Sequence, residues 1–400
     1  MEKAASNDRM GAMKKGVVIQ KTVSAHVENF GKQPESIAWA PGRIEVLGNH
    51  TDYNDGTVLS AAIDMGHCFC ISRSSRCGIH ALAVDIDQIA SFEITDTENV
   101  PGADWANYIK GVFHFIQEHL GEKIDGLDCT FLGSIPMGAG LSSSAALEVA
   151  AAYAVLKIMD ATIDKKEIAR LCRRAEHQFA GTNCGLLDQF SSIFGHEHGL
   201  IHSDFRTLEV SSVDLAADIE FLVVNPHVKH SLADSPYNER RERCEQAAAQ
   251  LAELLPHPVT ALRDVSPAEF EVHRGQIAAG AAKRAAHIVG EIDRVERGVN
   301  LLKNSDLVAF GKLLFESHQS SIGNFENSCP ELDIVVDAAH QAGALGARLS
   351  GGGFGGAAIV MVRSRDAKEI SAKMLLICQA KGLNPEFIAV IPSAGAQMIS

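Results

Sequence analysis

The chain has 400 residues, 46% hydrophobic and 22% charged, an ordinary globular mix with room for two or three domains and too apolar for a disordered chain. Its 36 lysines and arginines face 50 aspartates and glutamates, a formal charge of −14. So acidic a chain repels phosphate backbones and anionic lipid, which argues against nucleic acid and membrane as partners, although a local nest of N–H groups can still hold a nucleotide.

The first half alternates short strand-like runs with turns: Ser36 to Ala40, Thr57 to Ile63, Cys68 to Ser72, Ile79 to Val84 and Ala90 to Ile94. Trp105 to Leu120 has helical spacing. Cys129 to Ile135 reads as a strand that runs into a glycine-serine turn, followed by an alanine-rich buried helix from Ala145 to Met159 and another from Lys165 to Phe179. The pattern restarts with a strand at Ile219 to Asn225. Long helices follow at Pro236 to Leu255, Gly280 to Leu302, Asp306 to Ile322 and Pro330 to Gly343. The strand Ala357 to Val362, a helix Asp366 to Lys381 and the strand Phe387 to Ile391 close the chain. The balance moves from strand-rich to helix-rich near residue 210, so the expected architecture is α+β with halves 1–210 and 211–400.

Nine scattered cysteines show no CxxC pair, which predicts reduced, mostly buried thiols rather than disulfides or a zinc site. Residues 1 to 16 contain no apolar core of a signal peptide, and the longest uncharged stretches are full of glycine and serine. The expectation is a soluble cytoplasmic protein.

Three segments carry chemistry. In Ala40-Pro-Gly-Arg-Ile-Glu-Val-Leu-Gly-Asn-His-Thr-Asp-Tyr-Asn-Asp-Gly56, Arg43, Glu45, Asn49, His50, Asp52 and Tyr53 crowd together. A site that answers each hydroxyl of a sugar needs such a set, although a polar turn with self-bonded Asx residues would use the same residue types. Pro136-Met-Gly-Ala-Gly-Leu-Ser-Ser-Ser-Ala-Ala-Leu147 lies between a strand and a helix. There, free helix N–H groups and serine hydroxyls suit a phosphate, or else serve as plain N-caps. No Gly-Lys-Ser/Thr follows, so this is not a Walker A loop. Ser350-Gly-Gly-Gly-Phe-Gly-Gly356 fits GxGxxG literally but precedes a strand, so a close backbone approach to a ligand or another segment is expected instead of a dinucleotide site. Asp188 stands among Leu187, Phe190 and Ile193 and must be paired, capping or functional there. Glu176 falls near a helix end, where a glutamate is most often solvated.

Together these segments resemble the galactokinase branch of the GHMP kinases, over nearly the whole chain from Ala40. The likeness extends to Cys184 through Phe190, His230-Ser-Leu-Ala-Asp-Ser-Pro-Tyr-Asn-Glu-Arg-Arg241 and Ser328-Cys-Pro-Glu-Leu-Asp333. It implies an N-terminal domain like ribosomal protein S5 domain 2, a ferredoxin-like C-terminal domain, and transfer of the γ-phosphoryl of ATP-Mg²⁺ to the anomeric hydroxyl of galactose. By the same likeness Asp188 and Arg43 match the catalytic pair, and Ser144 and Glu176 the Mg²⁺ positions. Gly138, Ala139, Gly140, Leu141, Ser142, Ser143 and Ser144 match the phosphate wrap. His50, Asp52, Gly185 and Tyr237 match sugar-binding positions.

One departure bears on the substrate. The family reads Arg-x-Asn-Leu-Ile-Gly-Glu-His where this chain has Glu45 and Asn49, so carboxylate and amide are exchanged. If the two positions touch, the pocket keeps one of each and galactose remains the substrate. If position 49 alone faces C6, loss of its carboxylate admits galacturonate. A non-catalytic sugar sensor and a dinucleotide-dependent oxidoreductase are rival readings, opposed by the intact Arg43 and Asp188 and by the absence of a regular βαβ array. Oligomeric state is not legible.

Overall fold

A computed structural model of the chain describes residues 13–95, 97–136, 138–181, 184–228 and 237–400. The family-like segment from His230 to Pro236 and the loop residue Met137 lie outside them. Helix α1 (Lys15–Phe30) leads into β1 (Ser36–Leu47), β2 (Thr57–Arg73), β3 (Ile79–Ala83), β4 (Gln88–Phe92), α2 (Asp104–Leu120), β5 (Leu127–Gly133), α3 (Ser143–Ile158), α4 (Lys165–Phe179), α5 (Leu187–Phe194), β6 (Gly199–Asp204) and β7 (Glu209–Asp214). After these come β8 (Ile219–Asn225), α6 (Tyr237–Ala252), α7 (Pro267–His273), α8 (Ala279–Lys303), α9 (Leu307–Ser320), α10 (Pro330–Ala342), β9 (Gly346–Ser350), β10 (Ala357–Arg363), α11 (Ala367–Ala380), β11 (Glu386–Val390) and β12 (Gln397–Met398).

The larger sheet runs β12-β1-β2-β5-β3-β4, with β6 on the far end of β2 and β7 beside it. Its pairs are antiparallel apart from β3 with β5. The smaller sheet, β11-β8-β10-β9, is antiparallel throughout. The chain thus leaves the larger sheet after Asp214 and returns to it at Gln397, where β12 pairs with Ala38 and Trp39.

Two strands differ from the sequence expectation. Thr57 to Ile63 and Cys68 to Ser72 are one strand, because Asp64 exchanges hydrogen bonds with Ile391 and so stays extended. β1 continues past Ala40 to Leu47 through register shifts between Pro41 and Arg43 and between Glu45 and Leu47. Arg43 and Glu45 are therefore strand residues. Such bulges re-aim side chains without ending the strand.

Helix α3 is buried nearly all round, and its alanines let it lie close on β1 and β2. With α2, α4 and α5 it covers one face of the larger sheet. A second apolar layer joins the two sheets: Ile44, Leu47 and Leu59 meet Phe221, Val223 and Ile359, closed by Val295 and Phe310. The loop Ser350–Gly356 links two antiparallel strands and opens no helix, which removes the dinucleotide reading. Among the described residues no helix is long and apolar enough to cross a membrane.

Candidate active site

Arg43 is the centre of the site. Its backbone N–H donates to Leu141 O at 3.1 Å. Gly42 beside it has no room for a side chain, since a Cβ would lie 2.5 Å from Leu141 O. The glycine-serine loop therefore rests directly on β1. The guanidinium, 6% exposed, donates from Nε and Nη2 to Asp188 Oδ1 at 2.7 Å each, and from Nη1 to Gly140 O at 2.7 Å. The other carboxylate oxygen of Asp188 accepts from the Ser142 hydroxyl. Asp188 stands in the first turn of α5, with its side chain partly open to solvent.

The loop ends where α3 begins. Ser142 adopts left-handed φ of 55° just before the helix, so the turn presents the first N–H groups of α3 outward, where an anion would be held. Ala139 and Leu141 are buried in the layer between the sheets and anchor the loop. Ser144 Oγ donates to Glu176 Oε1 at 3.1 Å. Glu176 is not a solvated helix-end residue: it is 5% exposed, and its second oxygen accepts from Gln189 Nε2 at 2.9 Å and from the Cys184 thiol. Gln189 also reaches the wholly buried Glu148. Burial, then the neighbouring carboxylates, raises both Glu176 and Glu148 above the usual range. No cluster of three or more histidine, cysteine or carboxylate ligands occurs among the described residues. The Ser144–Glu176 pair nevertheless suits Mg²⁺, which takes one or two protein oxygens and keeps water and phosphate for the rest.

The turn after β1 forms the second wall. Glu45 and Asn49 touch: Asn49 Nδ2 donates to Glu45 Oε1 at 2.8 Å. Asn49 also donates to Gly351 O at 2.8 Å and accepts from Asn327 Nδ2 at 2.9 Å, and it is wholly buried. Glu45 Oε1 faces Arg348 Nη1 at 3.2 Å. Burial pushes the Glu45 carboxyl up while Arg348 and Arg43 pull it back. His50 Nε2 lies 2.9 Å from the Gly352 carbonyl, which can only accept, so this nitrogen carries the proton and Nδ1 accepts from the Tyr53 hydroxyl. Burial lowers His50 to about 4, so the ring is neutral. Tyr237 packs on His50 and Tyr53 with ring centres 5.1 and 5.9 Å apart. Asp52 lies flush on Gly185, where a Cβ would stand 1.5 Å from its Oδ2. Burial, then the charges of Glu45 and Asp188, raise Asp52 to about 7.

The polar residues that hold this turn from below were missed in the sequence. Glu291 of α8 is wholly buried, and its Oε2 accepts the N–H groups of Gly48 and Asn49 at 2.9 Å each. Arg294 secures its other oxygen at 2.6 Å. His287, one turn earlier, contacts Asn49 O at 3.2 Å. The available signal was a polar set (His287, Glu291 and Arg294) at helical spacing on the apolar stripe of Ile288 and Val295.

Comparison with known proteins establishes the family. Family models for the GHMP kinases N terminal domain, the galactokinase galactose-binding signature and the GHMP kinases C terminal match residues 107–196, 24–73 and 299–376. The galactokinase of Haemophilus influenzae is 37% identical over 92% of this chain and 95% of its own length. That of Streptomyces coelicolor is 38% identical over 93% and 96%. The chain belongs to the galactokinase family. Among solved structures, Lactococcus lactis galactokinase complexed with galactose superposes with a TM-score of 0.89 at 29% identity, covering 95% of this chain and 99% of that one. Methanococcus jannaschii mevalonate kinase shares the fold at TM-score 0.62 and 17% identity. The two-domain GHMP kinase architecture and the kinase class expected from the sequence hold.

Proposed function

We infer that the protein transfers the γ-phosphoryl group of ATP to the anomeric hydroxyl of galactose, giving galactose 1-phosphate and ADP. The observation that carries this reading is the junction at Arg43. One guanidinium grips both Asp188 and the carbonyl of Gly140, tying a carboxylate beside the sugar turn to the loop that would hold phosphates.

In this reading Asp188 orients the anomeric hydroxyl and takes its proton as the O–P bond forms and the bond from the γ-phosphorus to the β–γ bridging oxygen breaks. Arg43 holds the Asp188 carboxylate in place and offsets charge that builds on the transferred group. Gly138 through Ser144 and the start of α3 wrap the phosphates. Ser144 and Glu176 hold Mg²⁺, which when bound draws negative charge from the phosphates. His50, Asp52, Gly185 and Tyr237 shape the sugar pocket. Among them Asp52 accepts from the Tyr53 N–H through Oδ1 and lays Oδ2 against Gly185, whereas His50 has both ring nitrogens engaged.

Galactose is preferred to galacturonate on two grounds. Every hydrogen-bonding group of the Asn49 side chain has a protein partner. The carboxyls of Glu45 and Asp52, with that of Asp188, would repel a C6 carboxylate. The free, mostly buried cysteines support a reducing compartment, the cytoplasm, as the proposed location. The test is ADP release from ATP-Mg²⁺ with galactose, galacturonate, glucose and N-acetylgalactosamine in parallel. Galactose well ahead supports the reading. Galacturonate ahead would make position 49 the specificity switch, and no turnover with any sugar would leave a sensor.

A further inference from the structure

His67 is a buried histidine that the reaction as described does not use. It stands in β2 opposite Gly133 of β5, is 4% exposed, and lies flat on the backbone there. A Cβ at Gly133 would be 2.4 Å from its Cε1 and 2.9 Å from each ring nitrogen, so the strand leaves a seat for the ring. Phe131 closes one side, with ring centres 6.1 Å apart. Among the described residues the imidazole makes one hydrogen bond, between Nε2 and Ser143 Oγ at 2.8 Å, and its buried Nδ1 has no partner.

That lone contact fixes the tautomer. Burial lowers the ring to about 4, so it is neutral and one nitrogen carries the proton. A proton on Nδ1 would be a buried N–H with no acceptor, a rare arrangement in folded proteins, whereas a bare lone pair there is tolerated more readily. The proton therefore sits on Nε2, and Ser143 Oγ receives it. A hydroxyl that accepts from the histidine keeps its own proton free for another partner. Ser143 is the first residue of α3, in the turn whose N–H groups have no acceptor within the helix.

We propose that His67 is a positioning residue for the nucleotide: by donating to Ser143 Oγ it turns the Ser143 hydroxyl proton toward the phosphate held by the loop. This rests on the reading of Gly138 through Ser144 as the phosphate site. His67 touches neither substrate and acts through Ser143.

The test uses the full-length enzyme and four variants: His67→Val, His67→Gln, Ser143→Ala and the double variant His67→Val/Ser143→Ala. KM for ATP, KM for galactose and kcat are measured, together with ADP-Mg²⁺ affinity by calorimetry and the melting temperature. Loss of one hydrogen bond to a charged phosphate predicts about tenfold weaker ATP and ADP binding in both His67→Val and Ser143→Ala. Galactose KM should stay within about twofold, since uniform nucleotide binding is what is lost. The glutamine, whose amide can donate to Ser143, should recover most of the loss, and the double variant should be no worse than Ser143→Ala alone. Normal nucleotide affinity in His67→Val beside weakened affinity in Ser143→Ala overturns the proposal and leaves the loop reading intact. Normal affinity in both overturns the loop reading at Ser143, and the proposal with it. A lowered melting temperature with nucleotide and galactose affinities falling together, not restored by glutamine, means that His67 only fills space.

Discussion

The exchange of Glu45 and Asn49 can be tested as a unit. Arg348 is the largest wholly buried side chain of the described residues. Its Nη1 faces Glu45 Oε1 at 3.2 Å and Val46 O at 3.3 Å, while Nε and Nη2 have no partner. At an effective dielectric of about 20, opposite charges at this separation attract by roughly 5 kcal/mol. Desolvation offsets much of that, as the upward push on the Glu45 carboxyl shows. Removing one partner of a buried pair nevertheless costs about 3–5 kcal/mol, because the other charge stays buried. Glu291 also attracts Arg348 and takes over part of the role, so Glu45→Asn should lose about 3 kcal/mol. Position 49 is one hydrogen bond away from Glu45, and glutamate is a methylene longer than asparagine. The exchanged protein Glu45→Asn/Asn49→Glu should therefore return a carboxylate to Arg348 and recover at least half of the loss. Urea unfolding of parent, both single variants and the exchanged variant closes the double-mutant cycle. A Glu45→Asn protein within about 1 kcal/mol of the parent would overturn the argument, since that is the ordinary effect of a substitution away from any such pair. An exchanged variant no more stable than Glu45→Asn would show that the two positions are not interchangeable.

Two further outcomes follow from the cleft. Asp188→Asn should fold but melt below the parent, since the buried Arg43 loses its charged partner, and should bind galactose within a few-fold of the parent, while turnover falls by about 10²–10⁴, the usual contribution of a positioned proton acceptor; near-normal turnover in steady-state assays would remove Asp188 from the mechanism. Asp52, raised to about 7, should give kcat/KM for galactose a limb that climbs as pH passes 7 and the carboxylate forms, and Asp52→Asn should flatten that limb. The same shift has a sign for stability. Between its ordinary value and 7 the folded protein binds a proton that the unfolded chain has released, so the contribution of Asp52 declines as pH rises through 7, and Asp52→Asn should gain melting temperature relative to the parent at pH 8 rather than at pH 5.

What was legible in the sequence was local. Lys165 to Phe179 shows a clear amphipathic period and is found as a helix with those bounds, capped by Asp164. The three glycine-rich segments declared themselves by composition, and the third does lie against another segment, since Gly351 and Gly352 accept from Asn49, His50 and Asn327. Helix α1 was hidden because its buried stripe is Val18, Thr22 and His26. Two of those three are polar, and they are satisfied by Val18 O in one case and by Ser72 and Thr130 in the other. An apolar period cannot reveal such a face. Glu291 and Arg348 were illegible, and Glu176 legible only through the family likeness, for a related reason: charged residues read as solvated unless the partner is known, and the contacts of Glu291 with the turn after β1 and of Arg348 with β1 itself span more than 240 residues of sequence. The buried Ser60 is explained only in three dimensions, where its hydroxyl meets that of Ser191 on the helix carrying Asp188.

The groups proposed to react and the turn proposed to bind sugar are held by different halves of the molecule. Arg43, Gly140, Ser142 and Asp188 are joined to one another by hydrogen bonds within the part of the chain built on the larger sheet. The turn from Gly48 to Asp52 lies in that same part, yet its clamps come from beyond Ile219: Glu291 and His287 on its backbone, Asn327, Gly351 and Gly352 on its side chains. A change in the contact between the two sheets would therefore move the sugar turn relative to Asp188 while leaving the Arg43–Asp188 pair intact. In such a protein turnover should fall before galactose binding weakens, because misplacing a bound hydroxyl by an ångström is enough to lose a reactive geometry. The apolar layer of Ile44, Leu59, Phe221 and Val295 thus sets the position of the proposed sugar turn.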